Sequence, residues 1–279
     1  MSFLDSTVTP HRVLKLFEFM KDRPDKSFRT EDLKRAFQPT ALEKVTEKSD
    51  QLGDALKACI GLGLAQRDTP QTVKSANTSS NKTSKAVLLE AFDRVVLDNS
   101  ETEEWFSKFY SYIIARDETL NDGNGASWET SFNRDLFGEN KPNNRLNQTK
   151  ITAFRRWYAF IGLGWFDNEN TFRPNPRLRI ERNLMEIFKI STELSSNEFI
   201  SALSRVCPEL DGGSIFNEVT PGNYDPQGQQ VSIAVACAIC DLDSDNIISI
   251  DFSRDSSGWD LKKGVVSGYS KFDAVKLNA

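Results

Sequence analysis

Between residues 140 and 182 the chain carries Lys141, Arg145, Lys150, Arg155, Arg156, Arg173, Arg177, Arg179 and Arg182 against only Asp167, Glu169 and Glu181. Arginine suits phosphate because its planar fork donates two hydrogen bonds at once. Nine bases facing three carboxylates therefore read as a grip for a polyanion. From residue 191 onward the balance reverses, with thirteen carboxylates against six bases. The net charge of −5 excludes a chain that coats nucleic acid indiscriminately. It also hides a basic middle and an acidic end, which have two electrostatically different roles.

Other constellations carry less chemistry. Cys237 and Cys240 spell a CxxC pair, but a structural zinc site needs four ligands, and Cys59, Cys207 and His11 are all distant in sequence. On an apolar helix two cysteines three apart are small core residues. Asp241, Asp243 and Asp245 have the 1, 3, 5 spacing of a calcium loop. Asn246 stands where the glycine belongs, however, and Phe252 where the bidentate acid belongs, so the stretch reads as an acidic turn opening a hairpin. Pro24-Asp25 with Asp32-Leu33-Lys34 spells the acidic pattern of restriction-type nucleases. That chemistry needs its carboxylates on adjacent strands, and the sequence EDLKRAF reads as helix. With a single histidine, His11, a Ser/His or Cys/His pair is hard to build, and neither a glycine-rich phosphate loop nor a metal-type histidine pair occurs. The expectation is no catalytic residue, no metal and no cofactor.

The elements that must hold the basic cluster follow from periodicity. Val13, Leu14, Phe17 and Met20 fall at helical spacing behind Thr9-Pro10. A short extended segment at Ser27–Thr30, the helix EDLKRAF and a third helix from about Ala41 to Ile60 complete a first block. Thr69 to Lys85 is so poor in apolar residues that it reads as a wing tip or linker. Trp105, Phe106, Phe109, Tyr112 and Ile113 start a second block, with a short helix around TSFNRDLF and a third helix from Asn147 or Thr149 to Gly162. The stretch GWFDNENTFRPNP then reads as a hairpin. A connecting helix, ERNLMEIFKI, leads to a weaker third copy: a capped helix SSNEFISALSRV, an apolar helix QQVSIAVACAICDL and a hairpin with alternating Ile248, Ile250 and Phe252. The phrase IGLG recurs at 60–63 and 161–164, each time closing the third helix.

Helix, extended turn, helix, helix and hairpin is the order of a winged helix. The expected architecture is thus α+β and helix-rich, with tandem winged-helix domains over 1–85, 86–190 and 191–279. In that fold the third helix enters the major groove and the hairpin reaches phosphates beside it. With Ile151, Phe154, Tyr158 and Ile161 on the core, Gln148, Lys150, Arg155 and Arg156 are expected on or near the outer face, and Arg173, Arg177 and Arg179 along an extended segment, with Arg145 just before the helix. Those eight residues are the expected contacts to double-stranded DNA, chiefly to its backbone. The matching positions of the first block, Glu43, Lys44, Glu47, Lys48, Asp50 and Lys57, are mixed in charge and suit packing or a partner.

With tandem blocks of this kind and the opening TPHRVLKLFEFM, most of the chain resembles the DpdG family, encoded in bacterial gene clusters that insert 7-deazaguanine derivatives into DNA and restrict DNA lacking them. The resemblance implies a non-catalytic accessory subunit acting beside helicase and nuclease partners in a modification or phage-defence system. More distantly, the chain is similar to the tandem winged-helix subunits that bind SMC-type ATPase complexes, which implies a protein scaffold that binds no nucleic acid. A transcription regulator is the remaining class; it needs a symmetric dimer, for which the sequence has no coiled-coil heptads. No apolar run approaches the roughly 20 residues of a membrane span, and the first residues lack a signal peptide's basic start and apolar core, so the expected location is cytoplasmic.

Overall fold

Local signals in the chain start several of its helices. Pro10 occupies the first turn of α1 (Pro10–Lys21), where its missing N–H costs nothing. The Thr83 hydroxyl accepts from Ala86 N at the start of α4 (Ser84–Phe92), and Ser195 and Glu198 form a reciprocal capping box on α9 (Ser196–Val206). The computed structural model describes residues 8–37, 51–76, 81–97, 103–117, 125–138, 146–220, 229–252, 258–261 and 271–278. Over these residues the protein is α+β and helix-rich, with small antiparallel sheets.

In the first block α1 is followed by β1 (Phe28–Arg29), α2 (Thr30–Phe37), α3 (Gln51–Gly61) and the hairpin β2 (Ala65–Thr69) and β3 (Thr72–Ser75). The beginning of the expected third helix, 41–50, lies outside the described residues. The sheet order is β1-β3-β2. Thr72–Ser75 is thus a central strand, where the polar composition had suggested a wing tip or linker. Backbone pairing on both sides is indifferent to side-chain polarity, and the fully buried Val73 anchors the strand in the core. Helix α4 and a π-helical turn, Asp93–Leu97, follow.

The second block contains α5 (Glu104–Ala115), α6 (Gly125–Phe137), α7 (Gln148–Ile161) and the hairpin β4 (Gly164–Phe166) with β5 (Phe172–Pro174). Its core is aromatic: Phe132 meets Phe109 and Tyr112 edge-on, and the Tyr158 ring lies 4.5 Å from Phe106 and 5.2 Å from Tyr110. The third block comprises α8 (Arg177–Ile187), β6 (Glu193–Ser195), α9, α10 (Ser214–Val219), α11 (Ile233–Ser244), β7 (Ile248–Phe252), β8 (Trp259–Asp260) and β9 (Lys271–Leu277). Its sheet runs β6-β9-β7, so a short strand after the first helix pairs with the second strand of the hairpin, as in the first block. Helix α8, expected as a connector within 86–190, packs on α9 and α11 through Ile180, Leu184 and Ile187 and is the first helix of this block.

The repeat is more regular in the backbone than in the sequence. In each block the helix before the hairpin ends with one residue in the left-handed region, Gly63 (φ 69°), Gly162 (φ 81°) or Asn246 (φ 57°). The next N–H reaches back five residues: Leu64 to Cys59 O, Leu163 to Tyr158 O and Ile247 to Leu242 O. This is the Schellman closure, which favours glycine and tolerates asparagine. The carbonyl of the same residue then accepts from the end of the hairpin: Ala76, Asn175 and Asn278 donate to Leu64, Leu163 and Ile247. The two IGLG phrases are consequently out of structural register. Gly63, the second glycine of the first phrase, plays the part of Gly162, the first glycine of the second.

By packing, the chain gathers into two compact units. One comprises residues 1–103 with 149–157, the other 104–148 with 158–279. In the first, Trp157 stacks on Phe92 at 5.0 Å and donates Nε1 to Val8 O. In the second, Tyr158 donates its hydroxyl to Phe106 O at 2.7 Å. Consecutive residues of α7 thus belong to different units. Among the described residues, no helix is long and apolar enough to cross a membrane.

Candidate nucleic-acid interface

Helix α7 shows how the expected basic surface is built. Ile151, Phe154, Tyr158 and Ile161 are buried, as the periodicity demands. Arg155, expected outside, is only 4% exposed. The reason lies in the spacing: residue 155 follows Ile151 by four and precedes Tyr158 by three, which puts it on the core stripe. Arg156, one position on, is exposed, as is Gln148, whose backbone N–H donates to Glu129 Oε2 at 2.9 Å. Lys150 is half-buried. Arg145 lies outside the described residues.

The hairpin spends its arginine on itself. Asp167 accepts from Thr171 N (2.9 Å) and Glu169 N (3.0 Å) in the turn, where Asn170 takes a positive φ. Its second oxygen receives both Nε (2.8 Å) and Nη2 (2.7 Å) of Arg173, a charge-assisted contact in which the fork converges on one oxygen. The Thr171 N–H first, then Arg173 and the Glu169 N–H, hold the Asp167 carboxyl below the usual carboxylate range.

Arg177 and Arg179 correct the extended-segment expectation. The side-chain oxygen of the buried Asn175 accepts from Arg177 N at 2.9 Å and starts α8 there. Residues two apart on a helix point about 200° away from each other, so the two guanidiniums diverge. Arg177 meets Asp245 at 2.6 Å and Glu181 at 3.5 Å. Arg179 is 1% exposed and donates Nε to Glu209 Oε1 at 3.0 Å and Nη2 to Val206 O at 3.3 Å. Arg182, neighbouring in the count of bases, donates to Ile161 O at 2.8 Å. Of the seven expected contacts among the described residues, the outward surface of α7 therefore keeps Gln148 and Arg156, with Lys150 beside them. Thr152 is exposed between the first two, and 148, 152 and 156 are spaced by four along one face.

The sequence reading missed a buried polar network in the second unit. Around the Arg179–Glu209 pair, Ser111 Oγ donates to Glu209 O at 2.7 Å. Two residues on, the fully buried Asp211 accepts from Ser232 N (2.6 Å) and Ser232 Oγ (2.7 Å) at the head of α11, while Asp117 Oδ1 accepts from Ile233 N at 2.7 Å. Burial pushes Asp211 up to about 6, with the Ser232 bonds opposing. A carboxylate in a loop leaves no periodic trace, so only its partners reveal it.

The weaker constellations also take structural roles. Asp241, Asp243 and Asp245 sit at the C-terminal end of α11 and accept from Asn175 Nδ2, Ile250 N and Arg177. Cys237 and Cys240 are half-buried one turn apart, and burial raises both thiols, Cys240 to about 11. Asp32 and Lys34 lie on α2.

These features define the class: a helix-rich α+β protein built from repeated helix–helix–hairpin blocks, with a polar outer face on the third helix of the middle block. The family described as DpdG-like matches residues 1–256, and the chain belongs to that family. No curated protein and no solved structure matches it.

Proposed function

We propose that this chain is a non-catalytic accessory subunit of a cytoplasmic bacterial system that inserts 7-deazaguanine derivatives into DNA and restricts DNA lacking them, and that it touches duplex DNA through the outward face of α7. Family membership over residues 1–256 carries the accessory role. The exposed spacing of Gln148, Thr152 and Arg156 supports the duplex contact, because amide, hydroxyl and guanidinium groups bond to both phosphates and base edges. Helicase and nuclease subunits are the partners this role calls for.

The geometry lowers the electrostatic expectation. Among the described residues this face has two cations, Lys150 and Arg156, which release few counterions, and each phosphate contact contributes a slope of about −0.9 in log K against log salt. Binding is expected to be weak and only moderately salt-dependent. In a gel shift at low salt, Lys150→Ala/Arg156→Ala should abolish the complex, whereas Arg173→Ala, whose partner is Asp167, should leave it. A shift that survives the double substitution rejects this face as the interface.

A second reading, a protein scaffold without nucleic-acid binding, rests on a separate observation. Arg173, Arg177 and Arg179 are committed to carboxylates of the same chain, while Leu178 and Met185, seven residues apart on α8, are 49% and 79% exposed. Absence of any DNA shift at low salt, together with a stable complex lost on Met185→Asp, favours the scaffold.

A further inference from the structure

The first block carries an aromatic cluster that the basic strip does not explain. Phe19 of α1 lies 5.3 Å from Phe28 of β1 and meets Phe37, the last residue of α2, edge-on at 5.2 Å and 85°. Phe28 is 5% exposed and Phe19 half-buried, so they form a fixed base, but Phe37 is 36% exposed. Two cations lie against the rings. The Arg23 guanidinium sits 4.5 Å over Phe19, held by a bond from Nη1 to Phe19 O, and Lys26 Nζ sits 5.2 Å over Phe28.

We propose that this cluster seats an unpaired base of single-stranded nucleic acid on Phe37, with Arg23 and Lys26 beside the flanking phosphates. A ring held rigidly at the surface with cations next to it is the combination that binds single strands irrespective of sequence, since every base has a π face to offer. A duplex keeps those faces stacked and withholds them. On α2 the nearest face-neighbours of Phe37 are the buried Leu33 and the half-buried Lys34, whereas Glu31 and Asp32 lie more than about 100° round the helix. Asp22 and Asp25 share the exposed turn with Arg23 and Lys26 and cut its net charge, and Asp68 is engaged by Ser27 and Lys74. Stacking, not charge, must then supply most of the affinity. This separates the site from a basic groove: its salt slope is that of one or two phosphates, about −0.7 each for a single strand.

The test is fluorescence anisotropy of a labelled oligothymidine with the full-length protein. Phe37→Ala should weaken binding about tenfold or more, the loss of one stacked base, while Phe37→Trp restores it. Arg23→Gln/Lys26→Gln, which leaves the rings in place, should weaken binding less and flatten the salt slope. Duplex shifts should be insensitive to Phe37→Ala and lost in Lys150→Ala/Arg156→Ala, so this site and the α7 face fail or stand separately. Failure of the wild-type protein to bind the oligonucleotide overturns the proposal. So does equal affinity of Phe37→Ala with unchanged melting, or capture of an aromatic-rich peptide in place of the oligonucleotide.

Discussion

Arg155 and Arg179 carry formal charge yet sit inside, 4% and 1% exposed. A buried ion pair is costly to break because the survivor is left charged and unpaired, and the loss is typically about 3–5 kcal/mol. Arg179→Ala should therefore destabilise by about that amount in urea unfolding, and Arg179→Met/Glu209→Leu should recover most of it. Asp211 is buried too, and accepts hydrogen bonds from Ser232 N and Oγ. Its carboxyl titrates at about 6 folded against 3.8 in the open chain. Between these values the folded protein holds the proton more tightly, so stability is greatest below the lower value and falls as pH rises toward 6. About two pKa units correspond to about 3 kcal/mol. The stability difference between wild type and Asp211→Asn, followed by chemical denaturation from pH 4 to 7, should shift by up to that amount toward the asparagine variant. A flat difference would place the proton elsewhere.

At the scale of elements, the conserved geometry is the helix end, not the four-letter phrase. Gly63, Gly162 and Asn246 occupy one left-handed position, but their surroundings differ. A Cβ on Gly63 meets nothing closer than Arg94 at 4.0 Å, whereas one on Gly162 would lie 2.6 Å from Leu178 Cβ. Gly63→Ala should thus cost about 1 kcal/mol, the left-handed penalty alone. Gly162→Ala should cost clearly more in thermal melts, and Asn246→Gly should stabilise slightly. The helix ends were legible in the sequence as glycines after apolar stripes. The register of the repeat was not, because Schellman closure depends on which residue adopts positive φ, and both IGLG phrases offer two candidates. In the third copy asparagine takes the position that glycine holds in the other two.

For the whole molecule, the division of α7 between two compact units has a direct consequence. A fragment ending near residue 85, the boundary drawn from composition, lacks Phe92 and Leu97; one ending at residue 103 still lacks Trp157, which stacks on Phe92. Neither should unfold cooperatively in a calorimeter, whereas the full chain should. Independent folding of residues 1–85 would show that Trp157 is dispensable. The sequence by itself determined most of the helices, the apolar residues of their buried stripes, the hairpin at 164–174 and the family, because those rest on contacts between near neighbours and on backbone preferences; α4, α10 and the first turn of α8 were not legible in this way. Only the tertiary structure decided what became of the arginines. Whether a guanidinium faces solvent or a carboxylate depends on residues tens of positions away, as Arg177 meets Asp245 and Arg179 meets Glu209, and charge composition along a chain records nothing about such distances.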